Sequence, residues 1–204
     1  MTGLIIAVDG PAASGKGTLA RRIATTFDLP YLDTGLLYRA VARKLMDAHI
    51  DARDSLAATR AAEQLKSADL KRSDLRGEQC GAVASMVAVI PGVRAALLDF
   101  QRGFAGKAGA VLDGRDIGTV IFPNASIKLF ITASLQVRAE RRCREIDGVL
   151  AEVREELAAR DARDQGRGAA PLKPAPDAMV LDTSDMDPES AFHAAMKLIR
   201  GRLS

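Results

Sequence analysis

The chain has 204 residues, which suits one domain with short inserts, and 48% of its residues are apolar while 27% are charged. This balance can form a hydrophobic core and excludes a disordered chain. The net charge is only +3, aromatic residues make up 4%, and basic residues alternate with acidic ones along the predicted helices. An RNA-binding platform of stacked aromatic side chains is therefore not expected.

Signals for export or membrane insertion are not recognised in the sequence. The first apolar run, Leu4 to Val8, is too short for the core of a signal peptide and ends at Asp9. No stretch approaches the length of a membrane span. Cys80 and Cys143 lack metal-ligand spacing and are interpreted as reduced thiols. We expect a cytoplasmic monomer with neither a membrane nor a nucleic-acid partner.

The first predicted elements are a strand, a glycine-rich loop and a helix. Leu4–Val8 is a continuous apolar run, and Leu19, Ile23 and Phe27 recur at helical spacing within the segment that begins at Thr18. A short strand at Tyr31-Leu32 comes next. Further predicted elements are helices over Leu36–Met46, Ala82–Val89 and Val93–Phe104, with short helices and loops over residues 51–80.

The remainder of the chain alternates strands with helices. The predicted strands are Ala110–Leu112, Ile127–Ile131 and Met179–Leu181, and the predicted helices are Leu135–Glu145, Val149–Asp164 and Pro188–Arg202. Such alternation implies a parallel sheet covered on both faces. We therefore expect a single α/β domain over residues 1–204, a three-layer sandwich with about five strands.

The segment that follows the first strand fits a phosphate-binding loop. Gly10-Pro11-Ala12-Ala13-Ser14-Gly15-Lys16 matches G-x-x-x-x-G-K, and its place between a strand and a helix is the one that the motif requires. Glycines permit backbone turns that aim N–H groups inward, and the helix N-terminus adds positive potential. Lys16 would then act on the β- and γ-phosphates of a nucleotide. The alternative is a glycine-rich turn with a surface lysine.

Two further segments distinguish the chain from a generic phosphate-loop protein. They are LDTGLLYR at residues 32–39 and LDGRDIGTVIFP at residues 112–123. Together with GPAASGKGT they resemble the bacterial cytidylate kinases, and further matches at Ala84-Ser85, Pro91–Arg94 and Arg160–Arg167 extend the resemblance. After Lys16 the chain has Gly17 and then Thr18, the form seen in nucleoside monophosphate kinases.

The resemblance implies a kinase that moves the γ-phosphate of ATP to CMP or dCMP with Mg²⁺, in pyrimidine nucleotide metabolism. It also implies a helical acceptor-binding region over residues 36–104 and a small lid over residues 138–168. The expected ATP contacts are Gly10, Ala12, Ala13, Ser14, Gly15, Lys16, Gly17, Thr18, Arg138 and Arg142. The expected CMP contacts are Thr34, Gly35, Arg39, Ser85, Arg94, Arg115, Asp116, Arg160, Asp164 and Arg167. The expected catalytic residues are Lys16, Asp113, Arg115, Arg160 and Arg167, with Asp113 or Thr18 as the metal ligand.

Several of these roles also make physical sense. Asp113 ends a predicted strand beside the phosphate loop, where an acid can hold magnesium, although capping of the strand end is an alternative. Arg39 and Arg115 would neutralise the acceptor phosphate. Asp116 would accept a hydrogen bond from the cytosine amine and oppose the uracil carbonyl. Ser85 and Arg94 are further base contacts by resemblance, and for Ser85 a plain buried helical serine is the alternative.

The predicted lid carries a repeated basic pattern. Arg160, Arg163, Asp164 and Arg167 are spaced i, i+3, i+4 and i+7, so they share one helical face if the helix persists to Arg167. Such a pattern usually marks a solvated face. Here the resemblance implies arginines that close over phosphates, with Asp164 on the ribose.

One region departs from the family pattern. Many cytidylate kinases carry an insert with a β-hairpin after the second helix, and residues 51–80 are too short and too poor in β-branched residues for it. This leaves open the strictness of base choice. A kinase for UMP or AMP is therefore the alternative within the same class, and a nucleic-acid-binding module is the alternative from another class. A GTP-dependent switch would need an Asn-Lys-x-Asp sequence, which the chain lacks.

Overall fold

The computed structural model describes residues 3–168 and 170–203. Its strands are β1 (Leu4–Asp9), β2 (Tyr31–Asp33), β3 (Gly109–Gly114), β4 (Ile127–Thr132) and β5 (Met179–Asp182). They form one five-stranded sheet in the order β2-β3-β1-β4-β5. Strand β1 pairs in parallel with β3 and β4, and β4 pairs in parallel with β5. The predicted α/β fold with a parallel sheet of five strands is confirmed.

The helices follow the predicted order, with small shifts at their ends. Within the described ranges they are α1 (Lys16–Phe27), α2 (Thr34–Asp47), α3 (Ser55–Glu63), α4 (Glu78–Val87), α5 (Pro91–Ala105), α6 (Leu135–Ile146), α7 (Leu150–Gln165) and α8 (Pro188–Leu203). Helix α4 begins at Glu78 instead of the predicted Ala82. Its first turn is polar, and hydrophobic periodicity does not detect a polar first turn.

Both faces of the central strand are buried. Ile6 and Val8 of β1 pack in one cluster with Ile23 of α1 and Ile199 of α8. Ala7 lies between them and points to the opposite face, where it is also fully buried. A strand buried on both faces has a continuous apolar sequence, which is the pattern of the first strand. The carboxyl end of this strand leads directly into the phosphate loop.

The chain divides into two compact units. The first comprises Met1–Leu32 together with Ala105–Ser204, and the second comprises Asp33–Phe104. The first unit holds most of the sheet with α1, α6, α7 and α8, and the second holds α2 to α5. The assignment of residues 36–104 to acceptor binding and of residues 138–168 to a lid stays a prediction.

The second unit has a core of its own, made of small side chains. Ala40 and Ala42 of α2 pack with Cys80 and Ala84 of α4 and with Leu75. Partly buried larger side chains, among them Leu36 and Met46 of α2, pack around these small residues.

The segment over residues 51–80 consists of helical turns. It contains α3 and two 3-10 turns, Ser67–Lys71 and Ser73–Arg76, and no strand, all of its residues being described. Asp54 caps the start of α3, where its carboxylate accepts hydrogen bonds from two backbone N–H groups. This segment closes the second unit without a β-hairpin.

No single helix in the described part of the chain is long and apolar enough to cross a membrane. Helices α4 and α5 meet that test of length and composition only as a pair, and they are bent by 102° at the break between them. Cys80, Ala84 and Val87 of α4 are buried, as are Val93 and Leu97 of α5. This burial is the pattern of helices that contribute to a protein core.

Candidate active site

Residues 10–15 form the loop between β1 and α1, so the strand–loop–helix order that the motif predicts is confirmed. Gly10, Ala13 and Gly15 have positive φ angles of 153°, 59° and 84°. A Cβ on Gly10 would lie 2.0 Å from the carbonyl oxygen of Ile131. The loop therefore lies directly against the end of β4, and only glycine permits that approach.

Lys16 and Asp113 stand side by side at the carboxyl edge of the sheet. The Nζ atom of Lys16 is 3.6 Å from Oδ1 of Asp113 and donates to the backbone oxygen of Pro11 over 3.4 Å. The Tyr31 hydroxyl donates to Oδ2 of Asp113 over 3.1 Å. The structure thus brings together a cation for phosphate and an acid suited to a metal ion, although they lie far apart in sequence.

A cavity of about 620 Å³ lies beside the phosphate loop. It is lined by Ser14 of the loop, Thr18 of α1, Arg141 and Arg144 of α6, and the segment over residues 183–188. Pockets of this size accommodate small organic ligands and cofactors. Its position next to the loop suits a group attached to the bound phosphates.

Arg141 is fixed at the wall of this cavity. Its guanidinium donates to Oγ1 of Thr183 over 3.1 Å, and to the backbone oxygens of Thr183 and Met186 over 2.6 and 3.2 Å. The Thr183 hydroxyl donates to the backbone oxygen of Ser14 over 3.1 Å. Burial lowers the pKa of Arg141 from its ordinary value. One threonine thus connects helix α6 with the phosphate loop.

Arg138 and Arg142, the arginines predicted to bind ATP, do not line this cavity. Arg138 is buried and donates to Asp161 of α7 over 2.6 Å and to the backbone oxygen of Ala12 over 3.2 Å. Arg142 pairs with Glu145 over 3.0 Å. The role of these two arginines in ATP binding stays a prediction.

Three other arginines line the cavity and were not predicted to do so, namely Arg22 of α1 and Arg141 and Arg144 of α6. Val137, Glu140, Arg141 and Arg144 all lie on its wall and are spaced i, i+3, i+4 and i+7. A helical face counted from the apolar Val137 would have found the two arginines of α6. The family resemblance had instead implied Arg138 and Arg142, which lie on a neighbouring face of the helix.

Asp164 holds two of the predicted site arginines together. Arg115 donates from Nε to Oδ2 of Asp164 over 2.9 Å, and Arg167 donates to the other carboxylate oxygen. Helix α7 ends at Gln165, so the helical face that the spacing predicts stops before Arg167. Arg160 lies one turn before Asp164 on α7. Burial raises the pKa of Asp164, but the nearby arginine charges outweigh this effect and lower it overall.

Asp116 is buried directly before a π-helix over Ile117–Ile121, an element that the sequence did not predict. Asp9, at the end of β1, accepts hydrogen bonds from the first two backbone N–H groups of that helix, each over 2.8 Å. Burial raises the pKa of Asp9 to about 7, and the charges of Asp116 and Asp113 act in the same direction. Asp9 was not among the predicted site residues, although its place at the end of an apolar strand is a signal in the sequence.

Four predicted contacts of the acceptor lie in the second unit, apart from Arg39. Thr34 is the buried first residue of α2, and Gly35 follows it. Ser85 is buried on α4. Arg94, on α5, donates to the hydroxyl of Tyr38 over 3.3 Å. The predicted polar groups of the second unit are thus found at the start of α2, on α4 and on α5.

Arg39 is held by backbone oxygens of the second unit. Its NH1 donates to the oxygens of Leu75 and Gly77 over 2.7 and 2.9 Å. A Cβ on Gly81 would lie 2.6 Å from NH2 of Arg39, so a glycine at this position makes room for the guanidinium. The orientation of this predicted phosphate ligand therefore depends on the chain that follows α3.

The oxygen groups near the loop fit a magnesium ion that arrives with a nucleotide. Mg²⁺ is usually bound by one or two carboxylates together with substrate phosphates and water. Asp113 offers one carboxylate, and Thr18 presents an exposed hydroxyl at the cavity wall. In the part of the chain that the structure describes, no group of three or more His, Cys, Asp or Glu side chains could hold a metal ion. The choice of Asp113 or Thr18 as ligand stays a prediction.

Solved structures of other proteins share this fold. An uncharacterised protein from Eubacterium ventriosum matches with a TM-score of 0.60 at 14% identity, covering 97% of this chain and 98% of its own. The protein TT1252 from Thermus thermophilus matches with a TM-score of 0.54 at 20% identity and covers 100% of both chains. At such identities the likeness concerns the fold alone.

Curated relatives match at much higher identity over nearly the whole chain. A cytidylate kinase from Acidiphilium cryptum is 59% identical over 201 residues, which is 96% of this chain and 95% of that protein. A cytidylate kinase from Paramagnetospirillum magneticum is 57% identical, with 96% and 97% covered. The family model described as cytidylate kinase matches residues 6–201. The chain therefore belongs to the cytidylate kinase family.

Proposed function

We propose that the chain is a (d)CMP kinase, which transfers the γ-phosphate of ATP to CMP or dCMP and releases ADP with CDP or dCDP. The observation that carries this proposal is the phosphate loop, with Lys16 beside Asp113, in a chain whose match to the cytidylate kinase family extends over residues 6–201. We place the reaction in pyrimidine nucleotide metabolism, in a cytoplasmic monomer.

On the donor side, the phosphate loop would bind the phosphates of ATP. Its backbone N–H groups and the start of α1 offer positive potential, and Lys16 adds a full charge. The Ser14 hydroxyl is buried and has no hydrogen-bond partner among the described residues, so it can donate to a phosphate oxygen. The cavity at Arg141 and Arg144 is the site that we assign to the adenosine.

A magnesium ion would arrive with ATP and be held by Asp113, with Thr18 as a second candidate ligand. When bound, the ion would neutralise charge that develops on the transferring phosphoryl group. The Lys16 ammonium, which lies beside Asp113, would bind the same phosphates directly. Mg²⁺ itself is part of the proposal and rests on the family and on the oxygen groups present.

On the acceptor side, the proposal assigns CMP to the residues that the family motifs carry. Arg39 and Arg115 would neutralise its phosphate, and Asp116 would accept the cytosine amine. The further contacts assigned to CMP are Thr34, Gly35, Ser85, Arg94, Arg160, Asp164 and Arg167. Arg160 and Arg167 would act from a segment that closes when both substrates are bound, because water must be excluded from the activated phosphoryl group.

Catalysis in this scheme consists of positioning and charge neutralisation. Two phosphate groups that approach for in-line transfer repel each other, so several fixed cations are required. Arg115, which donates to the buried carboxylate of Asp164, would be one such cation, and Arg167, which donates to the same carboxylate, would be another once its segment has closed. A general base is not needed, since the attacking phosphate oxygen carries no proton that must be removed.

The proposal is tested by an assay of ADP release from ATP with a panel of monophosphates. We expect turnover with CMP and dCMP to exceed turnover with UMP and AMP. Preferred turnover with UMP or AMP would favour the alternative kinase. Saturable binding of mononucleotides also separates a kinase from a nucleic-acid-binding module, whose affinity should fall steeply with salt.

A further inference from the structure

The residue after the phosphate-loop lysine has no side chain, and the structure shows why. A Cβ on Gly17 would lie 2.9 Å from Oδ2 of Asp113 and 3.8 Å from the hydroxyl of Tyr31. In the common form of the motif, a serine or threonine at this position places its hydroxyl on the metal ion. Here the space for that side chain is bounded by a carboxylate and by the hydroxyl of a tyrosine from another strand.

The two oxygens of Asp113 have different neighbours. Oδ1 lies 3.6 Å from the ammonium of Lys16, and Oδ2 accepts the Tyr31 hydroxyl over 3.1 Å. In the proposed reaction Lys16 acts on the phosphates of ATP, so its contact with Asp113 changes when the nucleotide binds. Tyr31 itself is not among the groups that we assign to the nucleotide, and its contact with Asp113 is separate from that of Lys16. It can therefore persist through the reaction.

Tyr31 presents its hydroxyl from a well-supported position. It is the first residue of β2 and packs against the main core cluster. The guanidinium of Arg21 lies over its ring, 5.4 Å from the centroid. The preceding residue, Pro30, accepts a hydrogen bond from the backbone N–H of Val111 in β3 over 2.9 Å. These contacts hold the Tyr31 ring in place and thereby fix the direction of the hydrogen bond from its hydroxyl to Asp113.

We infer that Tyr31 is a positioning residue for the metal ion, because its hydroxyl orients the Asp113 carboxylate in a loop where Gly17 supplies no metal-binding hydroxyl. The inference rests on the proposed function. Groups that hold a metal ligand in place typically change metal affinity by about 10–100-fold when they are removed. Tyr31 acts through Asp113 and is not expected to touch the nucleotide.

The test is Tyr31→Phe, which removes the hydroxyl and keeps the ring. Binding of a non-hydrolysable ATP analogue is measured by calorimetry with saturating Mg²⁺ and without it. We expect affinity with Mg²⁺ to fall about tenfold, at the lower end of the range for such groups, and affinity without Mg²⁺ to stay unchanged. Unchanged affinity in both titrations overturns the inference. An equal loss in both also overturns it, because the hydroxyl would then support the loop as a whole.

Tyr38→Phe is the matched control, since Tyr38 is the other tyrosine of the chain. Its hydroxyl accepts from Arg94 in the second unit, so its removal should leave the magnesium-dependent affinity unchanged. In an Asp113→Asn background, Tyr31→Phe should have no further effect. Additive losses, or an equal loss in Tyr38→Phe, would show that Tyr31 does not act through Asp113.

These titrations contain no acceptor, so their outcome does not depend on which monophosphate the enzyme uses. Failure of the proposed function would appear in the turnover assay with CMP. Failure of the inference would appear as the same magnesium-dependent affinity for the ATP analogue in Tyr31→Phe as in the wild type. The two failures are therefore distinguishable.

Discussion

Arg115 in the first unit and Arg39 in the second unit are both assigned to the acceptor phosphate, and they are held by different means. In the first unit, Arg115 pairs with the buried side chain of Asp164 on α7. In the second unit, Arg39 donates to backbone oxygens. Loss of one partner from a buried ion pair leaves a buried charge behind, whereas loss of Arg39 leaves only neutral backbone oxygens without that donor, which costs less. Substitutions in the first unit should therefore affect both stability and catalysis, and those in the second unit mainly acceptor binding.

The largest effect is expected for Lys16→Ala. Loss of a charge that acts on the transferring phosphoryl group should lower kcat by about 10²–10³-fold or more, with every acceptor. Steady-state ADP release measures this loss, and the thermal unfolding midpoint of the variant serves as the folding control. Turnover near the wild-type rate would show that Lys16 of the phosphate loop has no part in phosphoryl transfer.

Arg115→Ala and Arg39→Ala compare the two units directly. Both should raise the KM for CMP more than the KM for ATP, because each arginine is assigned to the acceptor phosphate. Only Arg115→Ala should also lower the free energy of unfolding, by about 1–3 kcal/mol, since Asp164 loses a buried partner. Urea denaturation measures that difference.

The comparison fails if Arg39→Ala destabilises the protein as much as Arg115→Ala does. The acceptor assignment fails if either variant loses ATP affinity while it keeps CMP affinity. Titration of an ATP analogue and of CMP against each variant distinguishes these outcomes.

Base choice should respond to Asp116→Asn. A carboxylate only accepts hydrogen bonds, whereas an amide can present either an acceptor or a donor to the base. A mismatch in a buried site costs about 1–3 kcal/mol, so the ratio of kcat/KM for CMP over UMP should fall by about one to two decades. An unchanged ratio with lower activity on both substrates would assign base choice to Ser85 and Arg94.

An effect of another kind is expected in the pH dependence of stability. The pKa of Asp9 is raised from its ordinary value of 3.8 to about 7 by burial. Between these values the folded state keeps a proton that the unfolded chain releases, so this group stabilises the protein at low pH and the contribution is lost as pH rises towards 7. Asp9→Asn should remove this component from unfolding free energies measured between pH 4 and pH 7. Parallel pH curves for the variant and the wild type would contradict the shift.

The sequence predicted those parts of the fold and site that depend on local pattern. The run Leu4–Val8, the loop up to Lys16 and the strand end at Asp113 each carry their own signal within a few residues. The order of strands and helices followed from the same local patterns. The strands among these elements are also buried in the sheet, so their conformation is determined by the core.

The parts that were missed depend on contacts between distant segments or on helical phase. The hydrogen bond from Tyr31 to Asp113 joins residues that are 82 apart in sequence, and that from Arg141 to Thr183 joins residues that are 42 apart. Such pairs have no local signal. The phase of α6 could be counted from Val137 or from Arg138, and only the packed structure decides between them.

The most direct test of the central claim follows the phosphoryl group itself. The enzyme is mixed with ATP labelled at the γ-phosphate, together with equal concentrations of CMP, UMP and AMP, and the labelled products are separated after less than one turnover. The account predicts that the label appears in CDP and that Lys16→Ala forms no labelled CDP on the same timescale. Label that appears first in UDP, in ADP or in inorganic phosphate would contradict it.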